Sequence, residues 1–344
     1  MRGFDLLAAE KCRENWDGVA KPLKSLGLLE EMVIKIAGIQ KTPDVDVSRR
    51  VCLTFCADNG VVAEGVTQVD SAVTMAVARS IARGTGNICQ MARVARCGVV
   101  AVDVGMLEKS EDANIVDRRV APGTKNIARG PAMTREECQK ALLAGEEMVR
   151  DMAKASYRLI ALGEMGIGNT TTASAVACAL TGAEVSRMTG RGAGLSDEGL
   201  ARKVAAIERA LSVNRPDRDD PTGVLAKVGG FDFAALAGAF LGGAKYGVAV
   251  LVDGFIASVA ALCAQRMMPE ARDFMLASHV SREPAGAFLL EQLGLKPILA
   301  AGMALGEGTG AVAVMPLIDM ALAVYRGATF GDIAVEAYVP QEGA

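Results

Sequence analysis

The sequence predicts an α/β protein: an open parallel sheet with flanking helices and a small helical domain made from both chain ends. Three observations predict it. Short continuous apolar runs recur along the chain, each closing on Gly, Asp, Glu or Ser before a helix-like segment. Strands buried on both faces read as such runs, not as alternating ones. Hydrophobic residues make up 51% of the chain, only 4% are aromatic, and there are 38 glycines. That composition suits tightly packed layers with glycine at strand-to-helix turns. At 344 residues the chain exceeds one average domain, so a large domain with a small one beside it fits the length.

The elements follow in order. Residues 11–37 carry helical periodicity, many charges and little strand character. The run 51–57 leads into Asp58-Asn59-Gly60, and 99–104 leads into Gly105. The run 159–162 leads into Gly163-Glu164-Met165-Gly166, and 248–252 into Asp253-Gly254. The run 274–277 leads into Ser278-His279-Val280-Ser281, and 298–300 leads towards Gly306-Glu307. Residues 311–328 are again helical. The expected division is 1–45 and 309–344 as the two parts of the helical domain, with 46–308 as the α/β domain. Strands alternating with helices imply right-handed crossovers. Ligands then bind beyond the carboxyl ends of the strands, where all the polar clusters just named converge.

Composition excludes several functions. The formal net charge is −3 and no block of Lys or Arg stands out, which argues against a nucleic-acid partner. With charged residues from Asp5 to Glu14, no signal peptide is expected at the start. The most membrane-like window, 247–264, is interrupted by Asp253 and Gly254 and reads as strand, turn and helix rather than a span. The eight cysteines are scattered with no Cys-x-x-Cys pair, and His279 is the one histidine. Zinc-ligand spacing is absent, no metal is expected, and the cysteines suit small buried hydrophobes in a reducing cytoplasm. One histidine also disfavours Ser-His or Cys-His nucleophiles, and His279 itself reads as a hydrogen-bonded structural residue.

The most informative stretch is Gly306-Glu307-Gly308-Thr309-Gly310 between two apolar runs. Its alternate glycines let the backbone turn sharply and approach a ligand. The following helix would offer free N–H groups and a positive dipole end. Glu307 there reads as a general base, or as the cap of a tight turn. In Gly163–Thr172, Gly166 and Gly168 leave room for phosphate against backbone, and Asn169, Thr170 and Thr171 can cap a helix or donate to phosphate oxygens. A second loop carries Gly190, Gly192 and Gly194, followed by Ser196 or Asp197 as the cap of a helix over 198–211. Lys203 lies about two turns in, placed to reach back to an anion or to sit on a solvated face. Asp232 and Asp253 stand in apolar surroundings and read as helix caps or loop braces.

Taken in order, these motifs closely resemble one family, the nicotinate-nucleotide:dimethylbenzimidazole phosphoribosyltransferases of cobalamin lower-ligand assembly. The matching pieces are Ala57–Val61 with Glu64–Val66, Gly163–Thr171, Gly190–Asp197 with Lys203, Gly229–Ala235, Ser278–Ser281 and Gly306–Gly310. The resemblance implies a Rossmann-like parallel sheet, a small helical domain from both ends and a dimer. It implies transfer of the phosphoribosyl group of nicotinate mononucleotide, a substrate and not a cofactor, to an aromatic base. It assigns Glu307 as the base and Glu164 as a second acid. The loops around Gly166–Thr171 and Gly190–Gly194 become the nucleotide cradle, with Lys203, Ser281, Gly306 and Gly308 beside it.

Two departures stand out. The family usually has His where this chain has Asn59. Alignment from Thr74 places Val69 and Val77 at two acceptor-pocket positions where benzimidazole users tend to carry Ser and Gln. With Leu305 they would form a drier pocket, and phenol or p-cresol enters as an alternative acceptor. Relatives that activate phenols work as pairs of related subunits, so the partner is either a second copy or a paralogue. Two other readings compete. A non-catalytic paralogue subunit is opposed by the retained Glu307. A nicotinamide-dinucleotide oxidoreductase needs Gly-x-Gly-x-x-Gly after the first strand, where Asp58-Asn59-Gly60 stands instead.

Overall fold

The computed structural model describes residues 3–338. One sheet of six strands forms the centre, parallel throughout. Its strands are β1 (Arg50–Ala57), β2 (Gly98–Gly105), β3 (Ile115–Asp117), β4 (Leu159–Met165), β5 (Ala249–Val252) and β6 (Met275–Ala277). The spatial order is β3-β2-β1-β4-β5-β6. The chain starts at the middle, builds outwards to β3, returns to β4 and builds outwards the other way. The direction of winding reverses between β1 and β4, which opens a crevice beyond their carboxyl ends.

Five of the apolar runs are strands β1, β2, β4, β5 and β6. The run 298–300 is not a strand. Leu299 makes only an isolated parallel bridge with His279, and Ile298 and Leu299 both donate to the one Ser278 carbonyl, each at 3.0 Å. Pro297 just before has no N–H to extend a ladder. The sixth strand is β3, whose three residues include only one buried side chain, Ile115. That is too short to leave an apolar run.

The core is aliphatic. Every residue of β1 is buried, and helix Phe231–Tyr246 lies across β1, β2 and β4 with helix Arg135–Lys154 behind it. These two helices nearly touch backbone to backbone. A Cβ at Gly145 would collide with the Ala235 carbonyl, and one at Gly238 with the Leu142 carbonyl. The membrane-like window resolves into β5 and helix Phe255–Met267. Among the described residues no helix is long and apolar enough to cross a membrane.

The periodic stretch 11–37 falls into two helices, Leu6–Gly18 and Leu28–Gln40. Between them Lys21 pairs with the buried Glu30 at 2.7 Å. The chain ends pack together. Trp16 and Tyr325 pack with their rings tilted and centroids 5.0 Å apart, and Ala20 N–H donates to the Ala328 carbonyl at 2.9 Å. Helix Thr309–Tyr325 also packs on β4. Residues 1–2 and 339–344 of the expected helical domain lie outside the described residues.

Candidate active site

The crevice between β1 and β4 holds a cavity of about 360 Å³. Its floor is the carboxyl end of β4 with Leu162, Glu164 and Met165, and its sides come from the segments following β4, β5 and β6. Strand ends, and not strand middles, therefore supply the polar groups.

Glu307 enters from the loop before helix Thr309–Tyr325. Its carboxylate accepts from the backbone N–H of Ile88 at 3.3 Å. Ile88 lies in the first turn of helix Asn87–Val94, so the donor that holds Glu307 belongs to a different helix from the one it precedes. Burial raises its pKa above the usual carboxylate value, the Ile88 N–H opposes this, and the charge of Asp253 adds to it. A buried carboxylate with one hydrogen bond retains lone pairs for a proton.

Glu164, next to last in β4, stands beside it. A Cβ at Gly306 would come within 2.6 Å of its Oε1. The Asn169 amide donates to Glu164 and, at 3.1 Å, to Asp232. Burial, then the charge of Asp232, pushes Glu164 up to about 8. Burial alone pushes Asp232 up to about 6, opposed by its hydrogen bonds to Asn169 and the Phe233 N–H. The amide thus pins two carboxyls and is not free for a phosphate.

Lys203 is fully buried. Ser196 caps its helix, Asp197–Asn214, by accepting from Gly199 N–H at 3.2 Å. The ammonium reaches Thr170 Oγ1 at 2.8 Å and the Gly190 carbonyl at 3.0 Å, which removes the solvated-face reading. Burial pulls its pKa down to about 8, against the charge of Glu283. Thr170 and Gly192 line the cavity. A smaller adjoining recess of about 90 Å³ is walled by Gly166, Gly168, Thr170, Arg191 and Gly192.

Two independent similarities decide what this arrangement belongs to. A family model described as phosphoribosyltransferase matches residues 1–335. A curated relative from Acetivibrio thermocellus, named nicotinate-nucleotide–dimethylbenzimidazole phosphoribosyltransferase, is 45% identical over 94% of this chain and 93% of its own. The chain belongs to this phosphoribosyltransferase family. A Pseudomonas aeruginosa relative of the same name is 44% identical, covering 97% of this chain and 96% of its own. The crystal structure of CobT from Thermus thermophilus superposes with a TM-score of 0.91 at 41% identity, over 96% of this chain and 99% of that one.

The phosphoribosyltransferase brings most of the expected residues together. Glu164, Gly166, Asn169, Thr170, Gly192, Ser281, Gly306 and Glu307 line the main cavity, with Val77 and Leu305 on its apolar wall. Gly168 lines the recess. Others stand behind the surface. Gly190 gives its carbonyl to Lys203, the Gly194 carbonyl accepts from the Gln68 amide, and Gly308 packs against the Cys52 sulfur and caps its helix.

Two further residues of the expected site, Val69 and Thr171, also lie off both cavity walls. Val69 is exposed in the loop before helix Ala72–Ala82, between Val66–Gln68, which line the recess, and Val77, which that helix turns towards the main cavity. Thr171 faces the packed side of helix Asn169–Thr181, fully buried, its hydroxyl without a partner among the described residues. Asp253 is the brace its surroundings suggest, accepting from Ala311 N–H at 2.9 Å. It also lines the cavity, 3.9 Å from His279 Nδ1. His279 is held by Ser278 Oγ at 3.0 Å. Glu283 and Arg191 escape sequence reasoning. The Glu283 carboxylate abuts Gly190, and its Oε2 is buried without a partner among the described residues. Its position just before Pro284 resembles an ordinary helix start.

Proposed function

We propose that this phosphoribosyltransferase moves the 5-phosphoribosyl group of nicotinate mononucleotide to dimethylbenzimidazole, giving nicotinate and an α-riboside 5′-phosphate in cobamide biosynthesis. The observation that carries the reading is Glu307, a buried carboxylate with one backbone donor, between an apolar wall and a glycine-lined recess. The names of the close relatives support the substrates.

The chemistry follows from the donor. Its nicotinate nitrogen is cationic, so it leaves without added acid. The acceptor nitrogen attacks C1′ from the opposite face, the C1′–N bond breaks, and its electron pair stays on nicotinate. The configuration inverts. The acceptor's N–H proton goes to Glu307, an assistance typically worth ~10²–10⁴-fold, while alignment of both substrates contributes more. Lys203, Thr170 and the recess glycines hold the phosphate, and Ser281 lies beside the ribose. Glu164, held protonated near neutrality, adds no second negative charge next to the base.

The apolar Val77 and Leu305 also favour a second acceptor class, phenol or p-cresol, whose only polar need is a base for the hydroxyl. We place the chain in a dimer, with itself or with a paralogue. Val94 and Met320, exposed on two helices that pack together, offer an apolar face for it. The test incubates the protein with nicotinate mononucleotide and either dimethylbenzimidazole or p-cresol, with mass spectrometry of the products. An α-riboside phosphate of dimethylbenzimidazole is expected. Absence of any riboside phosphate, alone and with a paralogue, would overturn the reading.

A further inference from the structure

Glu307 sits in an unusual backbone. Gly306, Glu307 and Gly308 have φ of +86°, +60° and +90°. Glycine enters this left-handed region without penalty. A residue with a Cβ does not, and it persists there only when its surroundings fix it.

The surroundings that fix Glu307 are on β1 and β4. Its carbonyl accepts from Thr54 Oγ1 at 3.2 Å and from the Cys52 thiol at 3.6 Å. Both donors project from the same face of β1, two residues apart. Opposite them, Gly163 of β4 gives the carbonyl its room, since a Cβ there would collide with it. At the other end of the residue, Ile88 N–H holds the carboxylate. Glu307 is therefore fastened twice, by its carbonyl and by its side chain.

Thr54 itself needs an explanation. It is fully buried in the otherwise apolar run 51–57. Valine would fill the same volume there without a hydroxyl to satisfy. The hydroxyl finds its partner in the Glu307 carbonyl, 253 residues away in sequence.

We propose that Thr54 is a positioning residue for the transfer: its hydroxyl clamps the Glu307 carbonyl and keeps the carboxylate turned into the cavity. The inference rests on Glu307 being the base. Without the clamp the left-handed turn loses the bond that selects it, and a smaller fraction of molecules presents the carboxylate to the acceptor. Donor nucleotide is held by other segments, the loops at Gly166–Thr170 and Gly190–Gly192, so its affinity should not change.

The test uses the full chain with nicotinate mononucleotide and dimethylbenzimidazole. Thr54→Val should lower kcat about two- to twelvefold, the range of one neutral hydrogen bond, with donor KM within about twofold. Thr54→Ser, which keeps the hydroxyl, should restore most of the rate. Thr54→Ala supplies the same comparison should the valine variant fold poorly. In a Glu307→Gln background Thr54→Val should have no further effect, because there is no base left to position. A kcat loss under twofold, an equal loss in the Glu307→Gln background, or failure of serine to rescue would overturn the positioning role. A Glu307→Gln enzyme with wild-type turnover would instead overturn the base assignment, and the clamp with it.

Discussion

The ammonium of Lys203 lies 2.8 Å from the hydroxyl of Thr170 and 3.0 Å from the carbonyl of Gly190. One buried cation thus ties the start of the Asn169 helix to the second glycine loop and waits behind the surface that both present. Lys203→Met should weaken binding of nicotinate mononucleotide about 10–100-fold by calorimetry, the usual worth of a hydrogen bond to a charged group.

The same lysine predicts a pH dependence. Burial brings its pKa down to about 8, and only the protonated form attracts a phosphate. Wild-type affinity should hold below that value and fall by about tenfold per pH unit above it. Lys203→Met should remove this fall. A wild-type binding curve that stays flat to about pH 10, near the ordinary lysine value, would count against the lysine as the phosphate cation.

Glu307→Gln keeps shape and hydrogen bonding but cannot take the proton. Turnover should drop about 100-fold or more, with donor binding intact. A loss below about tenfold would argue that another group accepts the proton.

Glu164 predicts a stability trend. Its ordinary value is 4.5 and burial in the fold pushes it to about 8, so the folded state holds its proton longer than the unfolded chain does. The stabilisation is fully present below about 4.5 and is lost as pH rises through about 8. Asp232, pushed up to about 6, acts in the same direction at the acid end of that window. Wild-type melting temperature should fall across the window. Glu164→Gln should flatten the slope and melt higher than wild type at about pH 8. Parallel curves for the two proteins would sink the assignment.

Gly168 combines φ +90° with a Val62 methyl 2.9 Å from where a Cβ would stand. Gly168→Val should crowd the recess and weaken nucleotide binding more than it lowers the melting temperature. Unchanged affinity in the folded variant would make the loop a structural turn only.

Much of this is legible in the sequence because buried parallel strands leave continuous apolar runs, and polar residues at their ends mark the ligand edge. Glu164, Asp253 and Ser281 can be placed that way. What lies outside is whatever depends on side-chain direction after a turn. Val69 and Val77 look alike in sequence, yet only the second is on the inward face of a helix. Thr171 and Thr170 are adjacent, and one helical step separates a packed hydroxyl from one facing the cavity. Lys203 cannot be told from a solvated lysine until its helix is docked. Thr54 does leave a signal, a lone hydroxyl in an apolar strand, but its partner is on the far side of the chain.

The strand order has a consequence for how the enzyme comes into being. The last strand ends at Ala277, whereas the carboxylate that completes the site is residue 307. During synthesis the whole sheet, the recess and Lys203 emerge before Glu307 does. Helix Thr309–Tyr325, which packs on β4, follows directly after Glu307, so the base and the helix that covers the sheet arrive together as the last pieces of the site.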